Sequence, residues 1–377
     1  ARALVRQQQA ARFPQLGAGL VASDSGDLHG NSPPESYTLG LEASWEIDLW
    51  GRVSDLVAAQ RAQWRATAAD YEALRHSLAG QVARLYFDLA EAQAQFALAE
   101  ETAANYRANE AIIERRFEAG LARALEVRLA RTNTLSAEAA AAAARENGDT
   151  LARALEVLLG RYPANVLAAP GALPATVPLP AVGLPARLVA RRPDLAAAEA
   201  RYAAAVRTTG AARKLRYPRL ALTGSLGTAS QELGELLDDD LGVWNLVGNL
   251  TAPVFQGGRI AAQIEAAAAE EEAALESFAA TLLDAYQEVE TALASDRSLA
   301  SRRALLEALV READAAEDLA WEQYAKGLIE IITVLDTQRL AFTQRSQLLT
   351  LRNRQIQNRL SLVLALGGAG RPMAAAD

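Results

Sequence analysis

Cysteine is absent from this 377-residue sequence, which excludes a disulfide framework and any thiolate site within it. Histidine is nearly absent: His29 and His76 stand far apart without clustered partners, which argues against an imidazole-built metal or triad site. Lysine is reduced to Lys214 and Lys326, the other basic residues being arginine, and it is the formal net charge of -8 that argues against nucleic acid, since phosphate binding needs a basic face this balance does not provide. The single methionine, Met373, gives no hint of a soft-metal path. No apolar run reaches about 18 residues, so no membrane-spanning helix is available, and any contact with lipid falls to β-strands or a lipid anchor. A Gly-rich phosphate loop and a nucleophile beside a histidine are also missing. No enzyme, catalytic residue, metal or cofactor is expected from these residues.

What is present is a chain about half apolar, enough for a large core or several domains. The opening residues Ala1 to Arg6 read as helix already under way, with no cap and no signal segment, so the natural chain is expected to begin upstream.

The sequence also contains itself twice. A shift of 207 lays Tyr37 on Trp244, Gly51 and Arg52 on Gly258 and Arg259, and Phe117, Gly120 and Leu121 on Tyr324, Gly327 and Leu328. The same shift lays Val127 on Val334 and Leu159-Gly160 on Leu366-Gly367, while Phe13-Pro14 meets Tyr217-Pro218 at a shift of 204. One register held over so long a span is the signature of an internal repeat. A first copy is assigned to 1–160, a Pro-rich connector to 161–185, a second copy to 186–367 and a tail to 368–377.

Each copy carries strands. From Tyr37 the apolar residues Tyr37, Leu39, Leu41, Ala43, Trp45, Ile47 and Leu49 alternate with Thr38, Gly40, Glu42, Ser44, Glu46 and Asp48, a period of two. Trp244, Leu246, Gly248, Leu250, Ala252 and Val254 repeat the pattern, and weaker alternation surrounds Leu16, Leu20, Leu220 and Leu222. Strands are expected over 13–28, 37–49, 219–230 and 243–254. A soluble sheet with one face on a core and a transmembrane barrel both produce such alternation. Length favours the barrel, since about 9–11 tilted residues cross a bilayer. Tyr37, Leu39, Leu41, Trp45, Trp244, Leu246 and Leu250 would then face lipid. Four strands cannot leave open edges in lipid, so several chains would have to complete the barrel.

Between Arg52 and Gly120 there is no proline and one internal glycine, Gly80, so a helix over 52–119 of roughly 100 Å is expected. Leu78, Val82, Leu85, Leu89, Ala92, Phe96 and Ala99 step by heptad spacing, as do Leu306, Leu309, Ala313, Ala316 and Ala320. Return helices are expected over 121–160 and 328–366, a second long helix over 259–326, and a shorter one over 186–215. Gly120 and Gly327 would turn the hairpins.

The tandem repeat, the strands and the two long hairpins resemble the outer-membrane efflux protein family, the TolC-like outer-membrane factors. Leu49-Trp50-Gly51-Arg52, Arg191-Arg192-Pro193-Asp194-Leu195, Val254-Phe255-Gln256-Gly257-Gly258-Arg259, and Leu335-Asp336 followed by Leu364-Ala365-Leu366-Gly367-Gly368 are similar to its OprM/NodT-type lipoprotein branch. The resemblance implies an α+β membrane protein: a trimer in which each chain gives four strands to one transmembrane β-barrel and long hairpins to an α-helical barrel. It implies a passive exit duct in the outer membrane, extending into the periplasm and coupled through a periplasmic adaptor to an inner-membrane pump. It also implies a lipid-modified N-terminal cysteine, a residue this sequence does not contain. By the same resemblance, Gly120, Leu121, Gly327 and Leu328 at the hairpin tips meet the adaptor. The periplasmic gate falls on Ile332 and Asp336, four apart on one helix face, with Thr333, Glu126 and Ile329 beside them. Some relatives carry an Arg at the place of Ile329, so a tight Arg–carboxylate lock is not implied. The first copy has Leu125 and Leu129 opposite Ile332 and Asp336, so an acidic ring would belong to the second copy alone. The competing reading is a soluble coiled-coil scaffold or adaptor, which would share the hairpins but have no use for the apolar stripe from Tyr37 to Leu49.

Overall fold

The computed structural model describes residues 1–24, 35–167, 173–174, 178–179 and 191–368. The end of the first expected strand (25–28), most of the connector, positions 186–190, the tail beyond Gly368, His29 and Met373 lie outside the described residues.

In chain order the elements are α1 (Arg2–Ala10), β1 (Gln15–Ser23), β2 (Ser36–Ile47), α2 (Arg52–Glu118), α3 (Ala124–Leu158), α4 (Pro193–Arg213), β3 (Arg219–Ser230), β4 (Gly242–Thr251), α5 (Arg259–Ala325) and α6 (Ile331–Ala365). Both α2 and α5 contain 67 residues, and both α3 and α6 contain 35, with starting points 207 apart in each pair. The chain divides into two compact units, Ala1–Glu72 with Pro193–Leu283, and Ala73–Arg192 with Asp284–Asp377. These units cut across the expected 1–160 and 186–367 division. Each draws on both copies, because strands of one copy pair with strands of the other and their helices do likewise.

The first unit holds a four-stranded antiparallel sheet in the order β1-β2-β3-β4. The central pairing of β2 with β3 joins Leu41 to Leu226 and Trp45 to Leu222. β4 stops at Thr251, earlier than the expected 254, because Pro253 has no N–H to offer a ladder. In the same unit, α4 is tied to α5 by the Thr209 hydroxyl, which donates to the Ala267 carbonyl at 2.9 Å. It is tied to α2 by Lys214, just past its end, whose ammonium lies 2.6 Å from Asp55.

In the second unit α6 lies between two polar ladders. Toward α2, the Asn353 amide donates to Asp88 and Glu91, both at 2.7 Å, and the Thr350 hydroxyl donates to Glu91 at 2.7 Å. Toward α5, Arg359 pairs with Asp296 at 2.7 Å and Arg345 with Asp314 at 2.9 Å and Glu317 at 3.0 Å. Polar ladders of this kind fix register, since sliding one helix turn would leave several buried partners unmatched. Apolar clusters alternate with them: Leu89, Ala90, Ala152 and Leu155 between α2 and α3, and Val289, Ala292, Leu362 and Ala365 between α5 and α6. The expected seam on α2 is buried at Leu89, Ala92 and Ala99 but exposed at Leu78; on α5, Ala313 and Ala320 are buried whereas Leu309 and Ala316 face outward. Gly80 sits within α2 because Leu364 fills its place: an added β-carbon would lie 2.4 Å from the Leu364 Cδ1.

Candidate functional site

Directly paired residues of an antiparallel ladder point to the same face, so the register assigns each face of the sheet. One face carries Leu16, Ala18 and Leu20 from β1, Tyr37, Leu39, Leu41 and Trp45 from β2, Leu220, Leu222 and Leu226 from β3, and Trp244, Leu246 and Leu250 from β4. All seven residues expected to face lipid lie on it. Trp244, Leu246 and Leu250 are 77%, 68% and 64% exposed, so within one chain this apolar face is uncovered. The Tyr37 hydroxyl donates to Glu35 at 2.6 Å near one end of β2, and the Trp45 indole donates to the Arg12 carbonyl at 2.9 Å near the other. Aromatic rings with a polar handle at both ends of an apolar band suit the two interfaces of a bilayer.

The opposite face is polar and concave. Its hollow is lined by Gln15, Gly17, Glu42, Thr223, Ser225 and Asn245, among others. Gly40 and Gly227 face each other across β2 and β3, and a β-carbon on Gly227 would lie 2.1 Å from the Leu39 carbonyl oxygen and 2.5 Å from the Gly40 Cα. Glycine at both positions allows the strands this close approach.

The motif following β2 is a joint. Asp48 accepts from the Val53 and Ser54 amides at 2.9 and 2.7 Å, capping α2. Gly51 takes φ +74, Arg52 pairs with Glu46 at 2.8 Å, and the Trp50 indole donates to the Pro218 carbonyl at 2.7 Å.

In the second unit the hairpin turns match. Gly120 and Gly327 both take φ +73, and the amides of Leu121 and Leu328 donate five residues back to Arg116 at 2.7 Å and Gln323 at 2.9 Å. This is the left-handed cap that glycine adopts without penalty. Leu121 is 70% and Leu328 69% exposed. The return helices start at Ala124 and Ile331, three residues later than expected, because Arg123 and Glu330 are extended, with ψ 152° each. These two residues, 207 apart, pair across the hairpins at 3.2 Å.

The residues expected at the gate separate into two groups. Ile332, Thr333 and Asp336 share the exposed side of α6, and Ile332 is 50% exposed. Asp336 meets Arg339 at 3.5 Å with both side chains largely in solvent, a pair worth under about 1 kcal/mol. Ile329 instead packs against the cluster of Tyr106, Ile113, Ala130, Tyr324, Ile331 and Val334. It precedes α6 by two residues, so it does not share the helical spacing of Ile332 and Asp336. Glu126 is half-buried in the first turn of α3, 3.6 Å from Arg123. Close by, the Arg116 guanidinium lies 4.9 Å from the Tyr324 ring centre. Burial pushes the Tyr324 phenol above its ordinary range, with Arg116 opposing and Glu126 adding to the rise.

Two anchoring roles are not announced by the sequence. Arg192 is buried and donates to Glu288 at 2.7 Å and to the Ala365 carbonyl at 3.1 Å, fastening the chain at Arg192 to α5 and to the last turn of α6 within the second unit. Glu156 is buried near the end of α3 and accepts from the amides of Asn165, Val166 and Leu167 at 2.8, 2.7 and 3.1 Å. Burial alone would raise this carboxyl, but the convergent amides hold it below the usual glutamate value. Arg192 stands in the motif Arg191-Arg192-Pro193-Asp194-Leu195, which does not announce this role, and no motif marks Glu156; each role is defined by partners that the fold supplies.

Comparison with known proteins decides among the readings of this geometry. The family model described as outer membrane efflux protein matches residues 1–161 and 184–368. The chain belongs to the outer membrane efflux protein family. It is 32% identical over 379 residues to the cation efflux system protein CusC of Escherichia coli (strain K12), covering 98% of this chain and 81% of that protein. It is 33% identical over 375 residues to the solvent efflux pump outer membrane protein SrpC of Pseudomonas putida, covering 97% and 80%. A crystal structure of a membrane protein from Pseudomonas aeruginosa superposes with a TM-score of 0.93 at 31% identity, covering 100% of this chain and 87% of that one. This outer membrane efflux protein is thus an outer-membrane channel of a tripartite efflux system, and the soluble-scaffold reading is not favoured.

Proposed function

We propose that three copies of this chain form one passive duct: each sheet contributes four strands to a closed barrel, and the hairpins extend the conduit into the periplasm. The observation that carries this reading is the sheet itself. Its apolar face is continuous over four strands, its polar face is concave, and its edge strands β1 and β4 have no further partner among the described residues. Unpaired edges in hydrocarbon leave several backbone groups unsatisfied at several kcal/mol each, so closure by like sheets removes the largest penalty.

The tips at Gly120-Leu121 and Gly327-Leu328 would meet a periplasmic adaptor, since two matched turns present exposed leucines that the chain itself does not cover. Ile332 and Asp336 would line the periplasmic constriction, with Thr333 beside them and Glu126 on the neighbouring helix. Three Asp336 carboxylates brought together would favour cations. The names of relatives span cations and solvents, and a duct of this kind discriminates weakly, so the pump would set the cargo.

Planar bilayers test the reading. The purified protein is expected to open discrete conductances, and Asp336→Ala to change both conductance and cation preference. Unaltered current and selectivity in that variant would remove the gate assignment.

A further inference from the structure

The concave face of the sheet is nearly bare of charge. Arg219 stands at one end of β3, and Glu46 near the end of β2 is engaged with Arg52. Between them, among the described residues, one ionisable side chain remains: Glu42, in the middle of β2. Its row across the sheet is Gly17, Glu42, Ser225 and Asn245, and the adjacent row is Gly19, Gly40, Gly227 and Val243. Four glycines thus surround a single exposed carboxylate. Two of them, Gly40 and Gly227, leave no space for a β-carbon, so the floor beside Glu42 is bare for a geometric reason. The other polar residues lining the hollow, Gln15, Ser44, Thr223, Ser225 and Asn245, are uncharged. They can share in the hydration shell of a passing ion without neutralising the acid, and no ion pair to Glu42 exists among the described residues.

We infer that Glu42 is a charge-selecting residue of the strand-built part of the duct, favouring inorganic cations and ammonium-bearing solutes over anions. The inference rests on the barrel reading above, in which the concave face turns inward and three copies of Glu42 share one lumen. A fixed charge in a narrow, low-dielectric wall concentrates counter-ions along the path. At about 8 Å in water one unit charge changes local ion concentration about twofold, and three act together against salt screening over about 10 Å. This selectivity is separate from that of the gate, because Asp336 lies on α6 in the other compact unit.

The experiment is the reversal potential of single channels under a KCl gradient. The parent protein is Asp336→Ala, so that the gate carboxylate does not dominate. Adding Glu42→Gln is expected to lower the cation-to-anion permeability ratio roughly two- to fivefold, while Glu42→Asp keeps most of it. Ser225→Lys, which sets a cation directly across the ladder, should lower the ratio with Glu42 still in place and serves if the glutamine variant assembles poorly. An unchanged ratio in Glu42→Gln or in Ser225→Lys overturns the inference while leaving the channel intact. So does an equal loss in Glu42→Asp, which would trace the effect to shape. Failure of the parent to form channels at all would instead contradict the barrel reading and the inference with it.

Discussion

At Gly227 the sheet leaves no room for a β-carbon, whereas at Gly17, two strands away on the same face, nothing lies within 4 Å of one. Gly227→Ala should therefore destabilise the strand pairing by about 1–3 kcal/mol, and Gly17→Ala should be close to neutral. The fraction of heat-resistant oligomer after membrane extraction measures this, and equal yields from both variants would refute the close-approach account. Glu156 supplies a pH dependence. Its folded carboxyl lies below the ordinary glutamate value, so it stabilises the fold above that value and ceases to do so as pH falls through the ordinary value toward the folded one. Proteolysis or hydrogen exchange at 161–167 should rise over that acid window, and Glu156→Gln should show the loosened behaviour already at neutral pH. A segment equally protected in both proteins at neutral pH would contradict the assignment. Neither residue was legible beforehand. The strand glycines register in sequence only as weakened alternation, and the partners of Glu156 come from chain beyond its helix.

Elements were read better than the contacts between them. The period of two placed Tyr37, Trp45 and Trp244 on one face because side-chain alternation depends on the strand alone. The absence of proline gave α2 and α5 nearly to their ends. Errors gathered at ends and seams: α3 and α6 start after extended residues that a glycine signal does not announce, and Leu309 and Ala316 of α5 face outward because a helix crossing several neighbours does not keep one seam. Within the second unit Arg192 is a single side chain that ties the chain to both α5 and α6. Arg192→Ala would leave the Ala365 carbonyl and Glu288 without their donor and should reduce stability by about 1–3 kcal/mol, read by denaturant titration; a shift in midpoint too small to resolve would sink the anchor role. At the tips, Leu328→Asp should weaken efflux in cells without reducing the oligomer, since that side chain is 69% exposed and packs little within its own chain. Full efflux from this variant would count against adaptor contact there.

On the scale of the whole molecule, the sequence could specify a doubled unit but not how the copies combine. The strands of both copies merge into one sheet of order β1-β2-β3-β4, and each compact unit takes half of each copy. That mixing is a matter of long-range pairing, which no local period encodes. It yields a sheet too short to close alone and too apolar on one face to remain in water, so assembly in a membrane is the central claim. Molar mass by light scattering, measured in detergent and again after its removal, tests it most directly. The account predicts a trimer in detergent that aggregates when detergent is withdrawn. A monodisperse particle in plain buffer would contradict it.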